Sequence, residues 1–287
     1  MIPPRFQYFA PQSLGEALSL LNDYGLEAKV LSGGQSLIPL MKLNLAAPSY
    51  IVDINRIPGL SDIQETNGHL SIGCLAREAD LDSSELARSK YPILHDTTSV
   101  IADPLVRNLA TVGGNLAHGD PANDHPATML ALGAEVIARS SAGERVIPIS
   151  EFFEDTLTTA LSPGEILTEI RVPTPPPGSG SAYLKLERKV GDYAIAGVAV
   201  AITVRNGNCQ HAGIALTNAG PTSVKASSAE SFLIGKRLDE ETIREAARLA
   251  AQEAQPTADL RGPVEYKRDM VRVLAGRALR LALERSR

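Results

Sequence analysis

The chain of 287 residues has no tryptophan, two cysteines and 4% aromatic residues, so aliphatic side chains and alanine must fill its cores. Cys74 and Cys209 are too few and too far apart for a four-thiolate iron–sulfur centre or a structural zinc site. No run approaches the roughly 18 apolar residues of a membrane span, and Met1-Ile2-Pro3-Pro4-Arg5 opens without the apolar core of an export signal. The expected location is the cytoplasm, with both thiols reduced. A basic field is missing too: a net charge of −5 and a pI near 5.6 argue against nucleic acid as the main partner. No G-x-G-x-x-G follows a strand and no G-x-x-x-x-G-K-[ST] occurs, which removes the Rossmann and P-loop sites.

What is present is an ordinary globular composition, 44% apolar and 21% charged, long enough for two or three compact units. Ser13 and Glu16 form a capping box ahead of Leu14, Ala17, Leu18 and Leu21, and Gly25 stops the helix they begin. Apolar runs at 28–31 and 50–54 flank a Gly33-Gly34 turn and a helical stretch at 36–45, a βαβ-like pattern that predicts parallel strands. A second subdomain begins near residue 59. Its alternating Leu70, Ile72 and Cys74 predict a strand, 77–90 and 92–102 read as helices, and a second glycine turn follows at Gly113-Gly114. Runs at 134–138 and 145–149 flank hairpin residues, and 165–172 adds a strand, in an antiparallel rather than doubly wound arrangement.

Pro173-Thr-Pro-Pro-Pro-Gly-Ser-Gly180 can hold neither a helix nor a central strand and reads as a linker. Beyond it, strands at 183–188, 197–204 and 211–217, the latter two joined at Asn206-Gly207, precede helices at 223–233, 239–254 and 263–285. The expected fold is therefore α+β, with domains at 1–175 (subdomains about 1–58 and 59–175) and 176–287. From Arg261 onward eight Lys/Arg face three carboxylates, which reads as a solvated helix with cations toward its C-terminus or as a docking face for an acidic partner.

Backbone N–H groups in a glycine turn that leads into a helix suit a diphosphate, because no side chain blocks the approach. A lone Gly-Gly is more often a plain tight turn. Two of them, in Ser32-Gly33-Gly34-Gln35-Ser36 and Thr111-Val112-Gly113-Gly114-Asn115, leave both readings open. Bland readings also stand beside other residues: Asp124 as a helix cap, Tyr193 as strand-edge packing, Lys185 as a solvated strand residue, and His118 and His125 as loop or capping groups rather than metal ligands. Arg107 reads as an anchor of the preceding loop.

Four longer strings carry a family resemblance: Leu31-Ser-Gly-Gly-Gln-Ser-Leu-Ile-Pro-Leu-Met41, Ile101-Ala-Asp-Pro-Leu-Val-Arg-Asn-Leu-Ala-Thr-Val-Gly-Gly-Asn115, His118-Gly-Asp-Pro-Ala-Asn-Asp124 and Lys185-Leu-Glu-Arg-Lys-Val-Gly-Asp-Tyr193. In this order and spacing they resemble the FAD-binding medium subunits of the xanthine dehydrogenase, or molybdenum hydroxylase, family, nearest to its carbon monoxide dehydrogenase branch. The resemblance covers essentially the whole chain. It implies a two-part FAD domain of the vanillyl-alcohol-oxidase (PCMH) type, then a C-terminal antiparallel sheet with helices. It further implies that Lys29, Val30, Leu31, Ser32, Gly33, Gly34, Gln35, Ser36 and Leu37, with Ala110, Thr111, Gly113, Gly114 and Asn115, surround the FAD pyrophosphate and nearby groups. Ala117 and Asp124 would lie near the sugar chain, Ile101, Leu161 and Lys185 near the flavin or its adenosine end, and Tyr193 on a mobile loop against the ring, with Ala102 and Asn123 also among the cofactor-binding residues. Relatives often carry Ala, His and Ile where this chain has Ser32, Gln35 and Val112, changes that keep the turn.

The function so implied is an electron relay with no catalytic triad and no metal of its own. Its partners would be a large molybdopterin-binding subunit and a small 2Fe-2S subunit, in a heterotrimer that dimerises. The rival expectations are a self-sufficient flavin oxidoreductase, needing a base near the ring, and an assembly subunit that has lost the cofactor.

Overall fold

The computed structural model describes residues 2–287. The chain opens with β1 (Gln7–Phe9), α1 (Leu14–Tyr24), β2 (Ala28–Leu31), α2 (Leu37–Lys42) and β3 (Tyr50–Asp53). These strands form a parallel sheet in the order β1-β3-β2, so the expected parallel pairing is present and β3 lies at its centre. Ser13 caps α1, its Oγ accepting from Glu16 N at 3.2 Å, while Glu16 reaches back to Gln12 N at 2.9 Å.

Next come β4 (Ile63–Thr66), β5 (His69–Gly73), α3 (Glu78–Ser83), α4 (Glu85–Lys90), α5 (Pro92–Ser99), α6 (Pro104–Arg107), α7 (Val112–His118) and α8 (Asp124–Leu132). Then follow β6 (Glu135–Ser140), β7 (Gly143–Pro148), the small pair β8 (Phe153–Asp155) and β9 (Thr158–Thr159), and β10 (Ile166–Pro173). The antiparallel sheet β4-β5-β10-β6-β7 buries Leu70, Ile72, Val136 and Ile170 under the helices. The single helix expected over 77–90 is two, because Ser84 has extended backbone and its Oγ accepts from Ala87 N, restarting the chain as α4.

The C-terminal unit is β11 (Ser179–Leu186), β12 (Ala196–Arg205), β13 (Asn208–Thr217), β14 (Val224–Lys225), α9 (Ser227–Leu233), α10 (Glu240–Glu253) and α11 (Val264–Arg285). Its strands are antiparallel in sequence order, and Asn206 and Gly207 turn β12 into β13 with φ of 52° and 80°. The linker is shorter than expected: Ser179 and Gly180 already pair with β12. Gly180 is required there because a Cβ would lie 1.9 Å from Ala282 O on α11, so the helix packs directly onto the strand.

The solvated reading of the basic C-terminal stretch is overturned at Lys267, which is fully buried, and at Arg285. Arg285 donates to both carboxylate oxygens of Asp96 on α5 and to Ser181 O, while Asp96 also accepts from Tyr183 N. Three bonds to Asp96 thus fasten α11 and β11 to α5, and the bond to Ser181 O ties α11 to β11.

Candidate functional site

The three sheets meet around one cavity of ≈ 580 Å³. Every residue the resemblance assigned lines it: 29–37, 101, 102, 110, 111, 113–115, 117, 123, 124, 161, 185 and 193. The first glycine loop leaves β2 with Gly34 at φ 73° and runs into α2. Among the described residues, the N–H groups of Gly33, Gly34, Gln35 and Ser36 donate to nothing within the chain. The loop is braced from below: Asn55 Nδ2 donates to Ser32 O at 2.8 Å, and Arg77 Nη2 donates to Asn55 Oδ1 at 2.7 Å.

The second glycine loop behaves differently. Thr111 caps α7, and its N–H groups are already used: Val112 N on Ala76 O, Gly113 N on Cys74 O, Gly114 N on Thr111 Oγ1 and Asn115 N on Thr111 O. The N–H groups of 112–115 are therefore not donors to the cavity. What this loop offers the cavity is shape and side chains, including Asn115 Oδ1, which is buried without a partner among the described residues. The two loops touch: Ser32 Oγ and Thr111 Oγ1 are 3.1 Å apart, and Gly33 packs against the Leu109 carbonyl.

Asp124 is not the cap of α8. That position is Asn123, whose Nδ2 donates to Asn115 O at 3.0 Å, while Asp124 turns inward. It accepts from Tyr183 OH at 2.6 Å and from Lys185 Nζ at 3.0 Å. Burial pushes the Asp124 carboxyl above its ordinary value despite Lys185 and the two donors, and burial lifts the Tyr183 hydroxyl well above its own. Lys185 is not a solvated strand residue: its side chain is 2% exposed and also donates to Val100 O at 2.9 Å, with Glu187 Oε2 at 3.3 Å.

Tyr193 lies in the loop between β11 and β12 rather than on a strand edge, lining the cavity while 45% of its surface stays exposed. Arg107 anchors the preceding loop, donating to Ile101 O at 2.9 Å and Ala102 O at 3.1 Å, and Ala102 sits at φ 45°. His118 lines the cavity, and burial holds its imidazole below the ordinary value. His125 is fully buried 2.7 Å from Glu78, so the two histidines share no site, and no metal-ligand cluster occurs among the described residues.

Sequence reasoning missed Leu40, Ala46, Val106 and Leu157 on the wall, whose apolar side chains give no signal apart from their neighbours. It also missed Cys74, whose thiol burial pushes up to about 12 and which therefore serves as packing, not as a nucleophile. The wall thus combines free N–H donors, one buried cation between two carboxylates and a long apolar lining.

Residues 4–175 match the family described as FAD binding domain in molybdopterin dehydrogenase, and 181–282 match the CO dehydrogenase flavoprotein C-terminal domain. The chain is 44% identical over 285 residues to the carbon monoxide dehydrogenase medium chain of Hydrogenophaga pseudoflava, covering 99% of each. It is 40% identical to a 6-hydroxypseudooxynicotine dehydrogenase complex subunit alpha from Paenarthrobacter nicotinovorans, covering 100% of this chain and 97% of that one. A solved carbon monoxide dehydrogenase from Hydrogenophaga pseudoflava, lacking the Mo-pyranopterin moiety of its cofactor, superposes with a TM-score of 0.97 at 46% identity, over 99% of each chain.

Proposed function

Because the chain belongs to the FAD-binding subunits of the molybdenum hydroxylases, carbon monoxide dehydrogenase medium chains among them, we propose that it relays electrons from a partner's iron–sulfur clusters to an external acceptor. The observation that carries this reading is the asymmetric glycine pair. One loop holds four N–H groups with no acceptor among the described residues, facing a second loop whose N–H groups are satisfied but whose glycines let the backbone come close.

The residues fit FAD. A pyrophosphate takes several backbone donors at once, which residues 33–36 supply, and the side-chain oxygen of Asn115, without a partner among the described residues, is an acceptor left for a ligand donor. Bound FAD supplies the electron chemistry, and the protein sets its position and exposure. Lys185 and Asp124, locked by Tyr183 and Val100 O, would fix the polar chain of the cofactor, while Leu161, Ile101 and Tyr193 would keep water from its apolar end. In this reading 1–175 carries the FAD site and 176–287 closes it. The partners are a large molybdopterin-binding subunit and a small 2Fe-2S subunit, in a dimerised heterotrimer in the cytoplasm. Carbon monoxide is the substrate the full-length likeness favours for the complex.

The wall carboxylates Asp124 and Glu165 are both engaged rather than free as bases for substrate: Asp124 is paired with Lys185, and Glu165 is held by Arg145 below its ordinary value. A visible spectrum and FAD titration, on the chain alone and co-expressed with its neighbouring subunits, test the proposal. Flavin bands are expected in the complex and not in Gly114→Val, whose Cβ would meet Thr111 Oγ1 at 2.7 Å and Ser32 Oγ at 2.8 Å. A colourless wild-type complex, or substrate turnover by the pure chain, would sink the relay.

A further inference from the structure

We infer that Arg261 is a positioning residue for Tyr193: reaching across from the C-terminal unit, it holds the loop that carries this ring against the cavity. That the ring faces a cofactor rests on the function proposed above; the latch itself stands on geometry. The loop between β11 and β12 fixes its own shape through local bonds, Gly191 N on Glu187 Oε1 at 3.2 Å, Asp192 N on Lys189 O at 3.0 Å and Tyr193 N on Asp192 Oδ1 at 2.8 Å. Such bonds give a turn its form but not its place.

Contacts along its length place it: beyond the ring, Asn218 Nδ2 donates to Ala194 O at 2.7 Å, which fixes the end of the loop but not residues 188–193. Gly191 rests on the Ala102 carbonyl, where a Cβ would come within 2.5 Å. Among the described residues, the side-chain bond that reaches 188–193 from elsewhere in the chain is Arg261 Nη2 to Asp192 Oδ1, at 3.0 Å. The same guanidinium stands 5.8 Å from the centre of the Tyr193 ring, within the range of a cation–π contact. One planar group therefore holds both the carboxylate and the ring that follows it.

Arg261 is itself held rigidly. Asp259 and Gly262 exchange backbone hydrogen bonds at 3.2 and 3.1 Å, and Arg261 N donates to Asp259 Oδ1 at 2.8 Å. The fully buried Lys267 reaches up from α11 to Asp259 Oδ2 at 2.8 Å and Thr257 O at 3.0 Å. A buried lysine far from the cavity has a use here: it braces the loop from which Arg261 extends. Leu260, beside it, is fully exposed, so the segment is not fixed by apolar packing at that position.

Hydrogen–deuterium exchange on the full chain reads this directly. In Arg261→Met, amides of 188–195 are expected to exchange about tenfold faster, as loops released from their ties do, while those of 29–37 keep their wild-type rate. Arg261→Lys keeps the charge without the fork and should fall between. Asp192→Asn removes the other half of the pair and should reproduce the effect if Arg261→Met folds poorly. In the assembled complex, iodide quenching of flavin fluorescence should rise in Arg261→Met at unchanged FAD content. Unchanged exchange at 188–195, or acceleration spread equally over 29–37 and 110–117, overturns the inference. Because the exchange arm needs no cofactor, a loosened loop in a protein that binds no FAD would sink the proposed function and leave the latch standing.

Discussion

Gly33→Ala is expected to weaken FAD binding by about a hundredfold or more, the loss of one or two hydrogen bonds to a charged group. An alanine Cβ at this position would lie 2.4 Å from Leu109 O and 2.8 Å from Ala110 Cα, both backbone atoms of the second glycine loop. Neither can swing aside as a side chain could, so the loops must part by about 1 Å to restore ordinary contact near 3.5 Å. That movement pulls the free N–H groups of 33–36 away from the cavity and breaks the contact between Ser32 and Thr111. Gly34→Ala makes a useful comparison: its φ of 73° strains any other residue, and its Cβ would meet the flexible ends of Ile38 and Leu31. Fluorescence titration with FAD gives both affinities. Wild-type binding by Gly33→Ala would show that the two loops do not act as one site.

The second large effect is on stability. Lys185→Met should cost about 3 to 5 kcal/mol at neutral pH, because it leaves the buried Asp124 carboxylate without its cation. The pH dependence has a definite sign. Burial already lifts the folded pKa of Asp124 above its ordinary value, and removing Lys185 lifts it further. Between the unfolded and folded values the native state holds a proton that the unfolded state has released, so stability falls as pH rises through that window. The deficit of the variant should therefore shrink as pH is lowered toward the ordinary carboxylate range. Denaturant midpoints at neutral and mildly acid pH check this, and an equal deficit at both would mean that lost packing, not the stranded carboxylate, is responsible.

Local chemistry made much of the fold readable. The Ser13 cap, the Asn206-Gly207 turn and the parallel run of β2 and β3 each depend on residues a few positions apart. β1 escaped notice because three residues are too short to show a period, and it is a strand only because β3 offers an edge. The glycine loops were readable as turns and, through the longer strings, as a family site. That only the first has free donors depends on Thr111, which takes the N–H groups of Gly114 and Asn115, and on the distant Ala76 and Cys74, which take those of Val112 and Gly113. Lys185 looked like a surface strand residue because its partners Val100 and Asp124 lie 85 and 61 residues away. The same holds for Arg285, whose partner Asp96 is 189 residues distant. Long-range ion pairs leave no spacing in the sequence to be read.

The cavity stands on two hydrophobic cores at once. Val30 and Leu161 pack against the first, whereas the strand that carries Lys185 sets its neighbours Leu184 and Leu186 on the second. A ligand seated there favours only molecules in which both cores are formed, by an amount that grows with the logarithm of its concentration. Occupancy thus acts as a thermodynamic rivet. Each half of the chain has its own reasons to melt, and the shared tenant obliges them to melt together.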